Sequence, residues 1–156
     1  MTVQSSESSH PLLSCTDSIA ANSTDAVLLV GRVLLGWLFL SSSWGKLGNI
    51  AGFEGYLTAL KAPAPGIMSW IGALVEFLIG ATLILGIGTR YAALLCALFL
   101  IVATALAHRY WEYPPAQMAA QQTNFVKNLA ILGGALLLFV TGPGRFSIDR
   151  LLSKTR

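Results

Sequence analysis

Long apolar runs separated by short polar stretches dominate the chain. Four of them cover about residues 26–46, 67–87, 91–107 and 126–142. Each is close to the ~20 residues that an α-helix needs to cross a hydrocarbon layer ~30 Å thick. Because lipid offers the backbone no hydrogen-bond partners, only helices and closed barrels cross it. The pattern therefore predicts an all-α, polytopic membrane protein, a bundle of four transmembrane helices.

A shorter amphipathic pattern lies between the first two runs. Phe53, Tyr56, Leu57 and Leu60 recur at i, i+3, i+4 and i+7, which gives one apolar stripe on a helix. A helix of this length is too short to cross the bilayer and lies in the plane of its interface. The pattern predicts a short interfacial helix in the first loop.

The two ends of the chain differ from the middle. Residues 1–25 are rich in Ser, Thr and Asn and contain no Lys or Arg, and they lack the basic start and long apolar core of a secretion signal. We interpret them as a disordered polar tail. Residues 26–152 form the predicted membrane domain, and residues 143–156 form a basic C-terminal tail.

Composition supports a membrane protein. Of 156 residues, 54% are hydrophobic and only 11% are charged, whereas soluble domains have about 25% charged residues. The net charge of +3 is small and not clustered, which argues against nucleic-acid binding.

Four spans place both termini on one side of the membrane. We call it side A, and the side with the first and third loops side B. Side A has five Lys and Arg residues and side B has four, with Arg32 inside a span. Four of the five lie in the short C-terminal tail, which favours cytoplasmic termini.

The few polar residues of the spans follow a pattern. On the first span, Arg32, Gly36, Phe39, Ser43 and Lys46 share one helical face. This face carries a charge near each side of the membrane.

On the second span, Glu76 lies near mid-membrane, with Gly72 and Gly80 four residues away on either side. Small residues of this kind allow a neighbouring helix to approach closely. A carboxylate at this depth must face protein or water, be paired, or be protonated.

The remaining polar residues gather at side B. His108 ends the third span, and Asn124, Lys127 and Asn128 begin the fourth. Counting along alternating helices places them at the depth of Lys46, with Glu76 about half a membrane deeper. The sequence therefore predicts a polar rim at side B that several spans share.

These residues are the candidates for function. Glu76 and His108 are candidate catalytic groups that relay protons. The candidate ligand-binding residues are Arg32, Lys46, Asn124, Lys127 and Asn128.

A structural interpretation stands beside the functional one. Glu76 would then pair with Arg32 or Lys127 and hold two helices together. Arg32 would extend toward side A, and Lys46 would anchor its helix at the interface.

The sequence also excludes several kinds of chemistry. It has no CxxC, no Cys/His cluster and no carboxylate pair with metal-ligand spacing, so we expect no metal site. Only one histidine, His108, belongs to the membrane domain, which excludes a bis-His haem. There is no Gly-rich phosphate loop. We expect no covalent cofactor, and a quinone is the candidate for a reversibly bound one.

Four blocks of sequence resemble the DoxX family of small four-helix membrane proteins. They are GRVLLGWLFLSSSWGKL, LVEFLIGATLILGIGTRYAALL, ALAHR and FVKNLAILGGALLLFVTGPGRFSIDRLL, and together they extend from about residue 27 to 152. The matching features are the Arg in the first span, the G-K-L at its end, the mid-membrane Glu, the G-x-x-x-R turn and the K-N-L-x-x-x-G-G start of the fourth span.

The resemblance implies an inner-membrane location and an association with quinone-linked oxidation, because the family takes its name from a membrane subunit of quinone-linked sulfur oxidation. For single residues, the resemblance implies a shared position in the family's architecture and no particular mechanism. The residues concerned are Arg32, Lys46, Glu76, Arg90, His108, Lys127 and Asn128.

Our leading hypothesis is an oxidoreductase-associated inner-membrane protein with a polar intramembrane cavity for a quinone-like molecule. It would work in the lipid bilayer with a membrane-bound or soluble redox partner. The alternative is a non-catalytic membrane subunit or scaffold that recruits a partner protein through side B or the basic C-terminal tail. A weaker alternative is a small-solute transporter, for which four helices are few unless the chain forms a homo-oligomer.

Overall fold

Six α-helices make up the protein in a computed structural model, which describes the backbone of residues 11–153 and the side chains of residues 16–153. A short 3-10 helix, Tyr110–Glu112, precedes the fifth α-helix, and the described residues contain no strand. The α-helices are α1 (Pro11–Gly48), α2 (Ile50–Ala59), α3 (Pro65–Leu85), α4 (Thr89–Ala107), α5 (Pro115–Thr141) and α6 (Ile148–Ser153).

The predicted all-α class and four apolar spans are confirmed. Within the described residues, α1, α3, α4 and α5 are long and apolar enough to cross a membrane. Helix α5 begins well before the predicted residue 126, because Pro115 suits the first position of a helix. The Ala, Gln and Met residues that follow are good helix formers. The interfacial helix predicted in the first loop is α2.

The N-terminal segment differs from the expected disordered tail. Residues 1–10 lie outside the described residues, but residues 11–25 form the start of α1. Their hydroxyl groups bond to the helix itself: Ser23 Oγ donates to the Ile19 carbonyl (2.7 Å) and Thr24 Oγ1 to the Ala20 carbonyl (2.6 Å). Such bonds satisfy polar side chains without ending the helix, so a polar composition does not exclude a helix here.

The bundle consists of two closely packed pairs, α1 with α3 and α4 with α5, which meet mainly where α3 contacts α4. Gly36 and Gly80 bring the backbones of α1 and α3 together. A Cβ at Gly80 would lie 2.7 Å from the Leu40 nitrogen and 2.8 Å from the Gly36 oxygen. The close helix approach predicted around Glu76 is therefore found at Gly80, and α1 is the neighbouring helix.

The C-terminal segment, residues 143–153, folds back onto the bundle at side A and does not extend from it as a free tail. Asp149 caps α4, since its two carboxylate oxygens accept hydrogen bonds from the backbone N–H groups of Gly88 (2.7 Å) and Thr89 (2.9 Å). Arg32 is almost fully buried beneath this segment and donates to the Phe146 carbonyl. Partial burial opposes ionisation of Asp149, but the two backbone bonds and the nearby Arg32 bring its pKa below the ordinary value.

Replacing Gly80 by Ala should lower the free energy of unfolding in detergent by about 1–3 kcal/mol, because the added methyl group would force two helix backbones apart. Gly133→Ala is the matched control, since a Cβ at Gly133 has open space around it. Denaturant titration of both variants measures the difference. Equal stabilities of the two variants would contradict close backbone packing at Gly80.

Replacing Asp149 by Asn should lower stability at neutral pH by about 1–2 kcal/mol, because the cap loses its charge and one acceptor. The pKa of Asp149 is depressed in the folded protein. Its contribution is therefore complete above the ordinary carboxyl pKa near 3.9 and is lost as the pH falls through the lower folded value. The gap in melting temperature between the two proteins should close at acid pH. Asp17→Asn, at an exposed position of α1, is the control and should match the unchanged protein at every pH.

Candidate functional site: an intramembrane cavity at side B

A cavity of about 410 Å³ lies in the side-B half of the bundle, between the two helix pairs. Helices α1 to α5 all contribute to its wall, together with His108, and most of its lining is apolar. Its polar lining residues are Ser42, Lys46, Tyr56, Glu76, His108, Lys127 and Asn128.

Helix α2 covers part of the cavity. Its predicted apolar stripe faces inward, and Phe53, Tyr56 and Leu57 are lining residues. The helix begins at Asn49, whose side-chain oxygen accepts a hydrogen bond from the Gly52 N–H (3.0 Å). The Phe53 ring packs against Gly72 of α3 at an ordinary contact distance, since a Cβ at that position would lie 3.4 Å from the ring. The short interfacial helix is therefore a wall of the cavity as well as an interfacial element.

A buried ion pair joins α1 to α3 at the cavity wall. Lys46 Nζ lies 2.5 Å from Glu76 Oε1, and Ser42 Oγ donates to Glu76 Oε2 at 3.0 Å. Glu76 is only 5% exposed. Since an unpaired carboxylate in a low-dielectric interior is strongly unfavourable, the pair makes this position of Glu76 tenable. Lys46 Nζ also lies 4.9 Å from the centre of the Phe53 ring, a cation–π contact with α2.

The structural interpretation of Glu76 named the wrong partners. The sequence suggested Arg32 or Lys127, whereas the structure pairs Glu76 with Lys46. Counting residues placed Glu76 about half a membrane deeper than Lys46, which is farther than a lysine side chain reaches. The structure places Glu76 close to the level of Ser42, and Lys46 reaches it by extending into the bundle. Ser42 and Lys46 are one turn apart on α1, so both reach the same carboxylate.

The opposite wall comes from α5 and the end of α4. His108 Nδ1 lies 2.8 Å from the side-chain oxygen of Gln121. Asn128 is buried and donates from Nδ2 to Thr104 Oγ1 at 2.9 Å. These bonds hold the two side chains in place at the cavity wall, as preorganised binding groups require.

The structure brings together five of the seven predicted site residues. Lys46, Glu76, His108, Lys127 and Asn128 all line the cavity. Asn124 lies behind this group, and its side-chain oxygen accepts a hydrogen bond from Lys127 Nζ at 3.1 Å. Asn124 therefore positions Lys127 at the cavity wall.

Arg32 lies at side A, apart from the cavity, where it contacts the C-terminal segment. Its guanidinium packs against Gly86, where a Cβ would lie only 1.8 Å from Nη1. The structure therefore gives Arg32 a structural contact and places it apart from the predicted ligand site. Arg90 is also at side A and donates to the Phe139 carbonyl at 2.8 Å.

Sequence analysis missed several residues that build the site. Ser42 lies among three consecutive serines, so composition alone did not single it out, although it precedes Lys46 by one turn. Thr104 precedes His108 by one turn in the same way. Tyr113, in the loop before α5, donates to the Ala107 carbonyl at 2.9 Å and hydrogen-bonds with Tyr56 of α2. Burial, and then the contact with Tyr113, raise the pKa of Tyr56.

Among the described residues, no group of three His, Cys, Asp or Glu side chains could hold a metal ion. The polar groups discussed above at the cavity wall include an ion pair, an imidazole, a lysine and an amide. These groups can bind an oxygen-bearing ligand and exchange protons with it.

The fold and the cavity define a class: small four-span membrane proteins with a partly polar site between their helices. The chain belongs to the DoxX family, whose sequence model matches residues 27–109. It is an integral, multi-pass protein of the inner membrane, as the four apolar helices and two bacterial relatives support. No solved structure matches the chain.

Three relatives illustrate the range of similarity. Inner membrane protein YqjF of Escherichia coli K12 is 39% identical over 130 residues, 83% of this chain and 95% of the relative. Inner membrane protein YphA of the same organism is 31% identical over 124 residues, 80% of this chain and 89% of the relative. A Surfeit locus protein 4 homolog of Schizosaccharomyces pombe is 30% identical over 126 residues, 78% of this chain but only 36% of that protein.

Replacing Lys46 by Met should lower the free energy of unfolding in detergent by about 3 kcal/mol, because the buried Glu76 would lose its ion-pair partner. Adding Glu76→Gln to that variant should restore most of the loss, since the second change removes the uncompensated charge. Lys61→Met, at an exposed side-B lysine, is the control. A double variant no more stable than Lys46→Met alone would show that the pair is not coupled.

Proposed function

We propose that this protein binds a quinone-like molecule in the side-B cavity and serves an inner-membrane oxidoreductase as its quinone-binding component. The observation that carries this proposal is an apolar slot with hydrogen-bonding groups on two facing walls. One wall belongs to the α1–α3 pair and carries Ser42 and Lys46. The facing wall belongs to the α4–α5 pair and carries His108, Lys127 and Asn128. A quinone has a carbonyl oxygen at each end of a flat apolar ring, so donors on both sides suit it.

The size of the cavity fits this class of ligand. Sites for small organic molecules range from about 300 to 1,000 Å³ and are mostly apolar with a few polar groups. The cavity of about 410 Å³ falls within that range and suits a single substituted ring. Since the cavity lies among helices that cross the membrane, a lipid-soluble ligand has a short route to it from the bilayer.

The same side chains account for proton exchange. Reduction of a quinone to a quinol adds two electrons and two protons to its two oxygens. In the proposed reaction Glu76 and His108 relay the protons, and Lys46, Lys127 and Asn128 bind the oxygens. The electrons come from a membrane-bound or soluble redox partner.

The test is to extract the protein in mild detergent and identify the bound lipids by mass spectrometry. We expect a quinone at close to one molecule per chain. Ala103→Phe should abolish quinone retention, because Ala103 lines the cavity and the added ring would fill it. Ala130→Phe, at an exposed position of α5 outside the lining, should retain the quinone.

If the unchanged protein and the Ala130→Phe variant both contained only bulk phospholipid and no quinone, the proposal would be contradicted. The polar groups would then serve only to join the helices, and the alternative of a non-catalytic scaffold would replace it. That alternative is favoured by one observation, the Lys46–Glu76 pair, since an ion pair between two helices stabilises the bundle without any ligand.

A further inference from the structure

A second concave surface lies on the outside of the bundle, between α4 and α5. It is a groove of about 300 Å³ and is lined almost entirely by apolar atoms. Thr104 and Asn128, which bond to each other, form part of its floor and separate it from the cavity. The groove therefore faces the surrounding lipid and is a different site from the side-B cavity.

The groove has room for part of one lipid acyl chain. Its α5 wall extends from Phe125 to Leu132, about 10 Å at 1.5 Å per residue. Ile101 and Leu129 on its two walls are about half exposed, 54% and 50%. In a span, such exposed apolar side chains contact acyl chains. A groove between two helices gives a chain more contact than a flat helix face does.

The side-B end of the groove carries two opposite charges. Arg109 lines the groove, and its Nη2 lies 3.2 Å from Glu112 Oε2. Both side chains are close to half exposed, 43% and 49%. Arg109 Nε has no hydrogen-bond partner among residues 16–153. The pair therefore presents a positive and a negative group side by side at the mouth of an apolar groove.

Aromatic rings hold this mouth at the membrane surface. Trp111 packs against Tyr110 at 5.1 Å and against Phe125 at 6.0 Å between ring centroids. Trp and Tyr side chains favour the headgroup level of a bilayer. The Arg109–Glu112 pair, next to them in sequence, therefore lies at the level of lipid headgroups.

We propose that this groove binds one phosphatidylethanolamine molecule. An acyl chain occupies the groove, the phosphate binds Arg109, and the primary ammonium donates hydrogen bonds to Glu112. The charge pattern favours this zwitterionic headgroup over the alternatives. Phosphatidylglycerol has no cation for Glu112, and the ammonium of phosphatidylcholine has no N–H to donate. This inference does not depend on the proposed quinone function.

Fluorescence quenching of Trp111 by lipids with brominated acyl chains tests the proposal. Trp37, Trp44 and Trp70 are exposed and can be replaced by Phe, which leaves Trp111 as the single fluorophore in the groove. The protein is reconstituted in phosphatidylcholine vesicles with increasing fractions of brominated phosphatidylethanolamine, phosphatidylglycerol or phosphatidylcholine. We expect phosphatidylethanolamine to reach half-maximal quenching at a mole fraction about three- to fivefold lower than the other two lipids. This is the gain in affinity that an exposed ion pair of up to about 1 kcal/mol provides.

Two charge variants assign the headgroup contacts. Glu112→Gln should abolish the advantage of phosphatidylethanolamine over phosphatidylcholine and favour phosphatidylglycerol, because Arg109 is then unopposed. Arg109→Gln should weaken quenching by phosphatidylglycerol most. The controls remove the same charges at exposed side-B positions outside the groove, with Glu54→Gln and Lys61→Gln, and should keep the original preference.

A space-filling variant tests the groove itself. Ala105 lines the groove and is exposed, so Ala105→Phe should reduce the quenching of Trp111 by all three lipids. Equal quenching by the three lipids in the parent protein, a preference for phosphatidylglycerol, or an unchanged preference in Glu112→Gln would each overturn the proposal.

Discussion

The buried charges of this protein each need a partner inside the bundle, and this need organises the rest of the structure. Arg32 and Lys46 lie on one face of α1, near its two ends in the membrane. Lys46 binds the Glu76 carboxylate of α3 at side B, and Arg32 contacts the C-terminal segment at side A. Because lipid solvates neither charge, rotation or sliding of α1 would break the Lys46–Glu76 ion pair and the hydrogen bond from Arg32 to the Phe146 carbonyl. The two contacts thereby fix α1 relative to α3 and to the segment that precedes α6.

The position of the cavity follows from uneven packing along the bundle. Gly36 and Gly80 bring α1 and α3 into backbone contact on the side-A half of their interface. Toward side B, α2 inserts the Phe53 ring over Gly72. The two helix pairs meet mainly through α3 and α4, and small residues such as Ala103 and Ala107 line the space left between them. The cavity therefore lies where large side chains of α2 cover a gap that small residues leave open.

Hydropathy predicted the four spans because each apolar run must match the thickness of the bilayer. Counting residues also predicted the depth of most site residues, and Lys46, His108, Lys127 and Asn128 do share one cavity. The sequence pattern predicts how deep a residue lies in the membrane and on which face of its helix. It does not predict which neighbouring helix that face contacts. For this reason the predicted partners of Glu76 were wrong. Arg32 was grouped with a site that lies about 21 Å away along α1, at 1.5 Å per residue. Residues 11–25 were misjudged because hydroxyl side chains can bond within a helix as well as in a loop.

The Lys46–Glu76 ion pair forms part of the cavity wall. The contact that joins α1 to α3 therefore involves the same side chains as the proposed chemistry. Glu76 is buried, whereas the Lys46 side chain is 26% exposed, so the pair has one enclosed and one accessible member. Under the proposed function, a ligand oxygen that binds Lys46 competes with Glu76 for the same ammonium group. Proton uptake by Glu76, the first half of a relay step, would remove its negative charge, and with it both that competition and the ionic contact between α1 and α3. The proposed proton relay would therefore act directly on the ion pair that joins α1 to α3.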